Sequence, residues 1–526
     1  MVKNVLLRAN RSISIGSAAA LLSAATFLSA ILGLVVRRLL AARFGVGETL
    51  DAYYAAFSIP DLIFYLLVSG ALTVTLLPVL SERLMSRNKK SAWEISTSIL
   101  NFLALTTLTA SVLIFIFADP LMHLAAPGFD ERRHELAVLL MRLLALNPFL
   151  FSISSVYASM QQAFGRFFFY ALAPIVYNLG IIAGIIFLSP HFDITGVALG
   201  AVLGAFAQLV VQRMGLTGLG FEYSRTIFWR NRGFRQVLRL IVPRSIDEGI
   251  DNLIAVVERA IASGLGIGVL AAYQFAFDLK NYPIALIGAA IATAVFPKVS
   301  ERAAGTRPDI LKRELAGIFR VILWLIVPVA ALVVILRGYI VRLLFGFGGP
   351  ITASILGWFA LAIIFQSLLR MVARVFYAYQ DTRTPLYVSL CAIILNVALA
   401  FFFVSRYSVQ GLAMAQSAVA IFEVLTLSSI IRHRLGSFVQ ARFFINISKI
   451  LVATFTMSIL AYALTARFLP LLNVDAGFFS LAPKFSLIAL VSGVFYVLVS
   501  YWLRLPDAVL VINKVRQFAF KQLNIS

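Results

Sequence analysis

The 526-residue sequence is short of charge, of cysteine and of histidine, and each shortage closes off a class of function. Only 13% of its residues are Asp, Glu, Lys or Arg, against roughly 25% in soluble domains. The one cysteine, Cys391, lies in an apolar segment, which excludes a disulfide framework. The four histidines, His123, His134, His191 and His433, are scattered without ligand spacing, so no metal site is expected. A phosphate-cradling Gly-rich loop is missing, which argues against direct use of ATP. Neither an Asp-x-Asp motif nor a catalytic triad is found, so a polyprenyl-phosphate glycosyltransferase or ligase is disfavoured and a non-enzymatic role is expected.

What the chain does have is apolar length. Hydrophobic residues make up 61% of it, and runs of the ~20 residues needed to cross a hydrocarbon core recur from end to end. Hydropathy with Gly, Pro and charge breaks predicts fourteen spans, near 13–42, 52–80, 93–118, 134–160, 168–189, 194–214, 236–263, 269–297, 314–345, 351–378, 385–405, 409–431, 445–468 and 481–503. The fold class expected is therefore an all-α polytopic membrane protein of about fourteen transmembrane helices. The N-terminal run after Lys3, Arg8 and Arg11 reads as a retained first helix, not a signal peptide. The formal charge of +22 reflects topology, with no polar basic domain to bind nucleic acid. Most of the 45 Lys and Arg fall in one set of alternate loops that includes both termini, which places those loops and termini in the cytoplasm. No connection is much longer than the basic stretch from about Gly215 to Arg235, so any chemistry must lie within the helices or at their mouths.

The chain repeats itself. Leu77-Pro78-Val79-Leu80-Ser81-Glu82-Arg83 returns as Phe296-Pro297-Lys298-Val299-Ser300-Glu301-Arg302, and Ala52-Tyr53-Tyr54-Ala55-Ala56-Phe57 returns as Ala272-Tyr273-Gln274-Phe275-Ala276-Phe277. A looser pair is Gln162-Ala163-Phe164-Gly165-Arg166 and Tyr377-Ala378-Tyr379-Gln380-Asp381. Six spans per copy is an even number, so both copies enter from the same side, as in transporters built from parallel repeats with substrate between the lobes. The expected organisation is two pseudo-symmetric six-helix lobes, 1–220 and 221–436, followed by two additional spans and a tail, 437–526.

Ionisable side chains near a bilayer centre cost about 2.5–3.5 kcal/mol each on insertion scales, so those inside spans are the functional candidates. Arg37 and Arg38 in the first span point about 100° apart, so at most one aims directly into a cavity; either one of them binds phosphate there or they snorkel to the outer interface. In the tenth span Arg370 and Arg374 share a face near the cytoplasmic end, suited either to substrate or to anionic phospholipid. The seventh span carries Arg244, Asp247, Glu248, Asp251, Glu258 and Arg259. Asp247 and Asp251 share a face there, and could hold a coupling cation, Na+ or H+, or else pair with the arginines. In the eighth span Asp278 and Lys280 precede Pro283, which lacks the N–H that the helical ladder needs; Asp61 beside Pro60 is their counterpart in the first half.

The stretch LSAILGLVVRRLLAARFGVGETLDAYYAAFSIPDL, with SGALTVTLLPVLSE, AIATAVFPKVSE and RVFYAYQDTRTPLYV, resembles the MurJ (MviN) family of lipid II flippases within the multidrug/oligosaccharidyl-lipid/polysaccharide exporter superfamily. The resemblance runs through most of the chain. It implies a flippase that carries undecaprenyl-diphosphate-linked peptidoglycan precursor from the cytoplasmic to the outer leaflet of the bacterial inner membrane by alternating access. It also implies a cationic cavity in which Arg37 and Asp51 match family positions. The substrate-binding set expected is Arg37, Arg38, Asp51, Asp278, Lys280 and Arg374. Ala30 and Phe64 stand where the family commonly has arginine, and Lys280 is a shifted substitute for a third. Export of another polyprenyl-linked saccharide and cation-coupled drug export are the alternatives. No cofactor is expected beyond a coupling cation or the membrane potential. The partners expected are the lipid substrate, anionic phospholipids and the cell-wall synthesis machinery.

Overall fold

The structure, a computed structural model, describes residues 15–69, 72–86, 88–304, 308–346, 349–436, 441–472, 475 and 477–513, except for some side chains, among them those of 242–248, 250 and 251. Helix is the only regular element among the described residues. Twelve of these helices are long and apolar enough to cross a membrane, against the fourteen spans expected. Two differences account for the shortfall. Phe168–Met214 is a single 47-residue stretch by hydropathy, whereas the backbone reverses within it at Asp193 (φ 51°). The helix Arg232–Ser263 forms as expected but is too highly charged to count among the twelve.

The chain divides into two compact units, Met1–Ala271 and Ala272–Ser526. The helix Arg232–Ser263, which the repeat assigns to the second lobe, lies in the first unit. In that unit a core of Leu76, Leu80, Ile95, Ile99, Met160, Phe234 and Val237 is closed by Trp93, stacked on Phe164 with centroids 5.2 Å apart. The connection before Arg232 is laid against the helix Lys89–Ile116, where Asn101 Nδ2 donates to the Ser224 carbonyl (2.8 Å) and the Phe228 N–H donates to Ser98 Oγ (2.9 Å). Asn231 then caps Arg232–Ser263 by accepting from the N–H of Gly233 at 2.9 Å. In the second unit the helix Ala441–Ala463 packs through Ile450, Ala453 and Met457 near Trp324 and Tyr496, whose hydroxyl donates to the Trp324 carbonyl at 2.8 Å.

The internal repeat is written in backbone geometry. Asp193 (φ 51°, ψ −139°) and Ser408 (φ 53°, ψ −141°) turn two hairpins in the same unusual conformation. Behind each turn a glycine lets the two helices touch backbone to backbone. A Cβ on Gly196 would lie 2.5 Å from the Leu188 carbonyl carbon, and one on Gly411 would lie 2.5 Å from that of Phe403. Left-handed residues also recur at Gly165 (φ 68°) and Gln380 (φ 59°), each followed by a closing bond, Arg166 N to Gln161 O (2.9 Å) and Asp381 N to Phe376 O (3.0 Å). Wide π turns interrupt the second and eighth spans at Tyr65–Ser69 and Ile284–Ala289. The second of these follows Pro283, where the ladder loses its donor.

Each copy also ties down its left-handed corner with a charge. Arg166 Nη1 donates to the Thr217 carbonyl (2.8 Å), and in the second unit Arg434 Nη1 donates to Asp381 Oδ2 (2.5 Å). Burial opposes ionisation of Asp381, but the Thr384 hydroxyl, the Thr384 N–H and Arg434 outweigh it and hold the carboxyl down at about 2. A carboxyl lowered on folding stabilises the folded state above its ordinary range, and the contribution disappears as pH falls through about 2. Asp381→Asn is therefore expected to lower the melting temperature slightly at pH 7, by the equivalent of about 1 kcal/mol or less for an ion pair whose arginine is half exposed. Thermal melts should show that difference closing as the pH is taken from 5 towards 2.

Candidate functional site

The buried charge of the first unit centres on Asp51. It sits in the first turn of the helix Glu48–Ala56 with no exposed surface. Its Oδ2 accepts from the Gly268 N–H at 2.6 Å and its Oδ1 from the Ala271 N–H at 2.8 Å. These donors open the helix Val269–Pro283 and have no partner inside it, so the carboxylate caps a helix more than two hundred residues away. Gly268 is held at φ 78°, and a Cβ there would come within 2.8 Å of the Val46 carbonyl oxygen, so only glycine fits this approach. Arg133 Nη1 lies 3.7 Å from Asp51, its Nε donates to Asp130, and its guanidinium stands 4.8 Å over the Phe129 ring. The Arg133 hydrogen bond holds the Asp130 carboxyl below the usual carboxylate range.

In the helix Ile15–Phe44 the buried positions Gly33, Val36 and Leu40 mark the packed face. Arg37, four residues after Gly33 and three before Leu40, lies on that face; it is half-buried, and its Nη1 donates to the Gly33 carbonyl at 3.0 Å. Arg38 is half-buried too, but its i−7, i−3 and i+4 neighbours Ile31, Val35 and Ala42 are all exposed. The two arginines thus divide as their spacing requires. From Arg232–Ser263, Glu258 is fully buried and Arg259 Nη1 donates to Ser58 Oγ (3.3 Å), one turn from Asp61. Asp247 and Asp251 lie outside the described side chains.

In the second unit Lys280 is 1% exposed, and its ammonium has turned inward. It donates to Gln416 Oε1 and lies 4.4 Å and 4.7 Å from the ring centres of Phe277 and Phe359. Gln416 in turn donates from Nε2 to the Tyr273 hydroxyl at 3.3 Å. A charge this deep is tolerable because a carbonyl oxygen and two aromatic faces replace its water. Asp278, two residues earlier and so on the opposite side of the helix, is half-buried and accepts from Gln274 Nε2 at 3.0 Å. Arg374 donates to Thr293 Oγ1 at 2.8 Å and stands 5.5 Å over Phe296. The expected residues of this unit are therefore spread over three settings and do not converge on one point. Arg133, Gln416 and Phe359 were missed by sequence reasoning; Gln416 alone had a readable signal, as an amide inside an apolar span.

Two bundles of long apolar helices, broken by π turns at equivalent places and carrying charge in their interiors, define a polytopic membrane transporter. Solved structures agree on the fold. The chain superposes on a structure titled lipid II flippase MurJ, inward closed conformation, with a TM-score of 0.77 at 23% identity, covering 92% of this chain and 100% of that one. An inward-facing MATE multidrug transporter of the MOP superfamily matches with a TM-score of 0.67 at 16% identity, over 78% of this chain and 95% of that one. Among curated proteins, the probable lipid II flippase MurJ of Borreliella burgdorferi is 27% identical over 399 residues, 74% of this chain and 78% of that protein. The lipid II flippase MurJ of Burkholderia cenocepacia is 26% identical over 425 residues, 78% of this chain and 82% of that protein. The family model described as lipid II flippase MurJ matches residues 40–482. The chain belongs to the MurJ family of lipid II flippases, and it is a transporter, not an enzyme.

Proposed function

We propose that this chain carries lipid II from the cytoplasmic to the outer leaflet of the bacterial inner membrane by alternating access, with both termini in the cytoplasm. The observation that carries the reading is the family match across residues 40–482, a stretch that includes most of the charged membrane residues described above. Arg37 falls just before it, on the packed face of its helix, where a planar guanidinium can grip a diphosphate with two parallel hydrogen bonds. Arg38, Asp278 and Arg374 are half-buried and provide further polar contacts, while Asp51 and Lys280 hold the helix Val269–Pro283 in place from its start and its interior. The prenyl tail stays in lipid throughout.

Energy comes from the membrane potential, worth about 2.3 kcal/mol per charge per 100 mV, or from Na+ or H+ taken up at Asp247 and Asp251. Anionic phospholipids bind the basic face at the start of Arg232–Ser263, where Arg232, Arg235 and Arg239 are all exposed beside the exposed Trp229. The cell-wall synthesis machinery receives the product. Ala30 and Phe64, in place of two family arginines, favour a second reading in which the headgroup is another polyprenyl-diphosphate saccharide.

Headgroup-resolved flipping in reconstituted vesicles tests the proposal. Arg37→Ala is expected to reduce lipid II flipping about tenfold or more, the loss of one charge-assisted phosphate contact, with the yield of folded protein nearly unchanged. Arg37→Lys should recover part of the rate, because a point charge replaces the fork. Equal losses of flipping and folded protein would assign Arg37 to structure, and transport of a different saccharide with no lipid II flipping would establish the second reading.

A further inference from the structure

Two of the histidines that look scattered in the sequence are brought together by the fold. His123 lies four residues after Asp119, so both project from one face of the helix Ala118–Ala125. The next helix, Glu131–Leu144, brings His134 against them. His134 Nε2 and Asp119 Oδ1 are 2.9 Å apart, and the two imidazole rings stack with centroids 3.9 Å apart and planes 27° from parallel. One ligand atom from each of the three residues lies within 4.8 Å of the other two. Tetrahedral sites with bonds of about 2.0–2.2 Å need donors somewhat over 3 Å apart, so small side-chain rotations complete the arrangement. The His134 side chain is only 11% exposed while that of Asp119 is 60% exposed, leaving a protein wall on one side and water on the other.

We propose that Asp119, His123 and His134 form a binding site for one borderline divalent transition-metal ion, Zn2+ by preference, with water as the fourth ligand. Two imidazoles and one carboxylate suit zinc, cobalt or nickel and are a poor set for calcium or magnesium, which take six or more oxygens. The ion is a clip. It joins the two helices that flank the turn containing Gly128, whose N–H donates to Ser263 Oγ at 3.1 Å and whose Cα meets the Gly264 backbone with no room for a side chain. His134 also neighbours Arg133, the partner of Asp51, so bound metal stiffens the segment that carries the buried ion pair.

The test uses the full chain in detergent with any affinity tag removed, titrated with Co2+ as a visible probe and then with Zn2+ against a chromophoric chelator. The expected result is one equivalent of Co2+ with tetrahedral d–d absorption, displaced by Zn2+, and a rise in melting temperature with metal. Asp119→Asn and His123→Ala should each weaken binding tenfold or more while leaving the metal-free melt unchanged. Asp119→Asn preserves side-chain shape and keeps the test independent of folding; His191→Ala and His433→Ala should have no effect. Absence of stoichiometric binding, or binding that survives both site variants, overturns the proposal.

Discussion

Asp51→Ala is expected to destabilise the folded protein by about 3–5 kcal/mol, the largest single-residue effect among the charged positions. The removed carboxylate accepts two backbone N–H groups, at 2.6 and 2.8 Å, and neutralises an arginine that is itself only 7% exposed. Without it the Gly268 and Ala271 donors stay buried without that acceptor, and Arg133 loses a buried carboxylate and is left with the more exposed Asp130 as its acidic neighbour among the described residues. Unpaired buried donors cost about 1–3 kcal/mol each, more when a charge is stranded with them. Asp51→Asn retains one oxygen acceptor but turns an amide NH2 towards a donor, so it should fall between wild type and Ala. Thermal unfolding in detergent, with the yield of monodisperse protein, measures the series. A variant that melts like wild type yet no longer flips lipid would instead place Asp51 in substrate contact.

The second large effect is steric. Gly180, Gly184, Gly200 and Gly204 stand at four-residue spacing on the two arms of the hairpin turned at Asp193, and the arms touch through their backbones. A Cβ on Gly200 would lie 2.5 Å from the Gly184 Cα and 2.9 Å from the Gly180 carbonyl oxygen, so no side-chain rotation relieves it. Small residues at helix contacts are how membrane helices bring their backbones close, since lipid tails supply no hydrophobic drive between them. Gly200→Leu must push the arms apart and is expected to cost more than about 3 kcal/mol, beyond ordinary overpacking of a core. Loss of the monodisperse peak in gel filtration reads it directly. Gly317→Ala is the control: no atom lies within 4 Å of its added Cβ, and alanine favours helix over glycine by about 1 kcal/mol, so the melt should hold or rise. Equal behaviour of the two variants would show that the hairpin has slack its backbone distances do not suggest.

The membrane class, the placement of most helices and the family were legible because they rest on properties summed along a segment. Apolar length, the Pro283 break and the recurrence of Gln162–Arg166 as Tyr377–Asp381 need no knowledge of what a residue touches, and the repeat is now visible as matched left-handed corners. The count of spans is where sequence and structure differ, since fourteen are read from the sequence and twelve helices among the described residues are long and apolar enough to cross. A sum of hydropathy alone merges two helices across the reversal at Asp193 and passes over Arg232–Ser263, whose Arg259 turns towards Ser58, whereas the Gly, Pro and charge breaks of the sequence set both apart as spans. Arg37 and Arg38 illustrate the boundary, since their spacing required them to diverge but only packing showed that Arg37 takes the packed face.

By itself, then, the amino-acid order showed a chain that lives in a bilayer, folds as helices, repeats short segments of its first half and resembles the lipid II flippases. Tertiary structure alone decided that Asp51 caps a helix beginning at Val269, that Lys280 ends between two phenylalanine rings, and that His123 and His134 meet Asp119. The physical reason is that burial free energy adds residue by residue along the chain, so composition reports it. Capping, ion pairing and ligand convergence depend on distances of a few ångströms between residues far apart in sequence, and those distances exist only after the helices have packed.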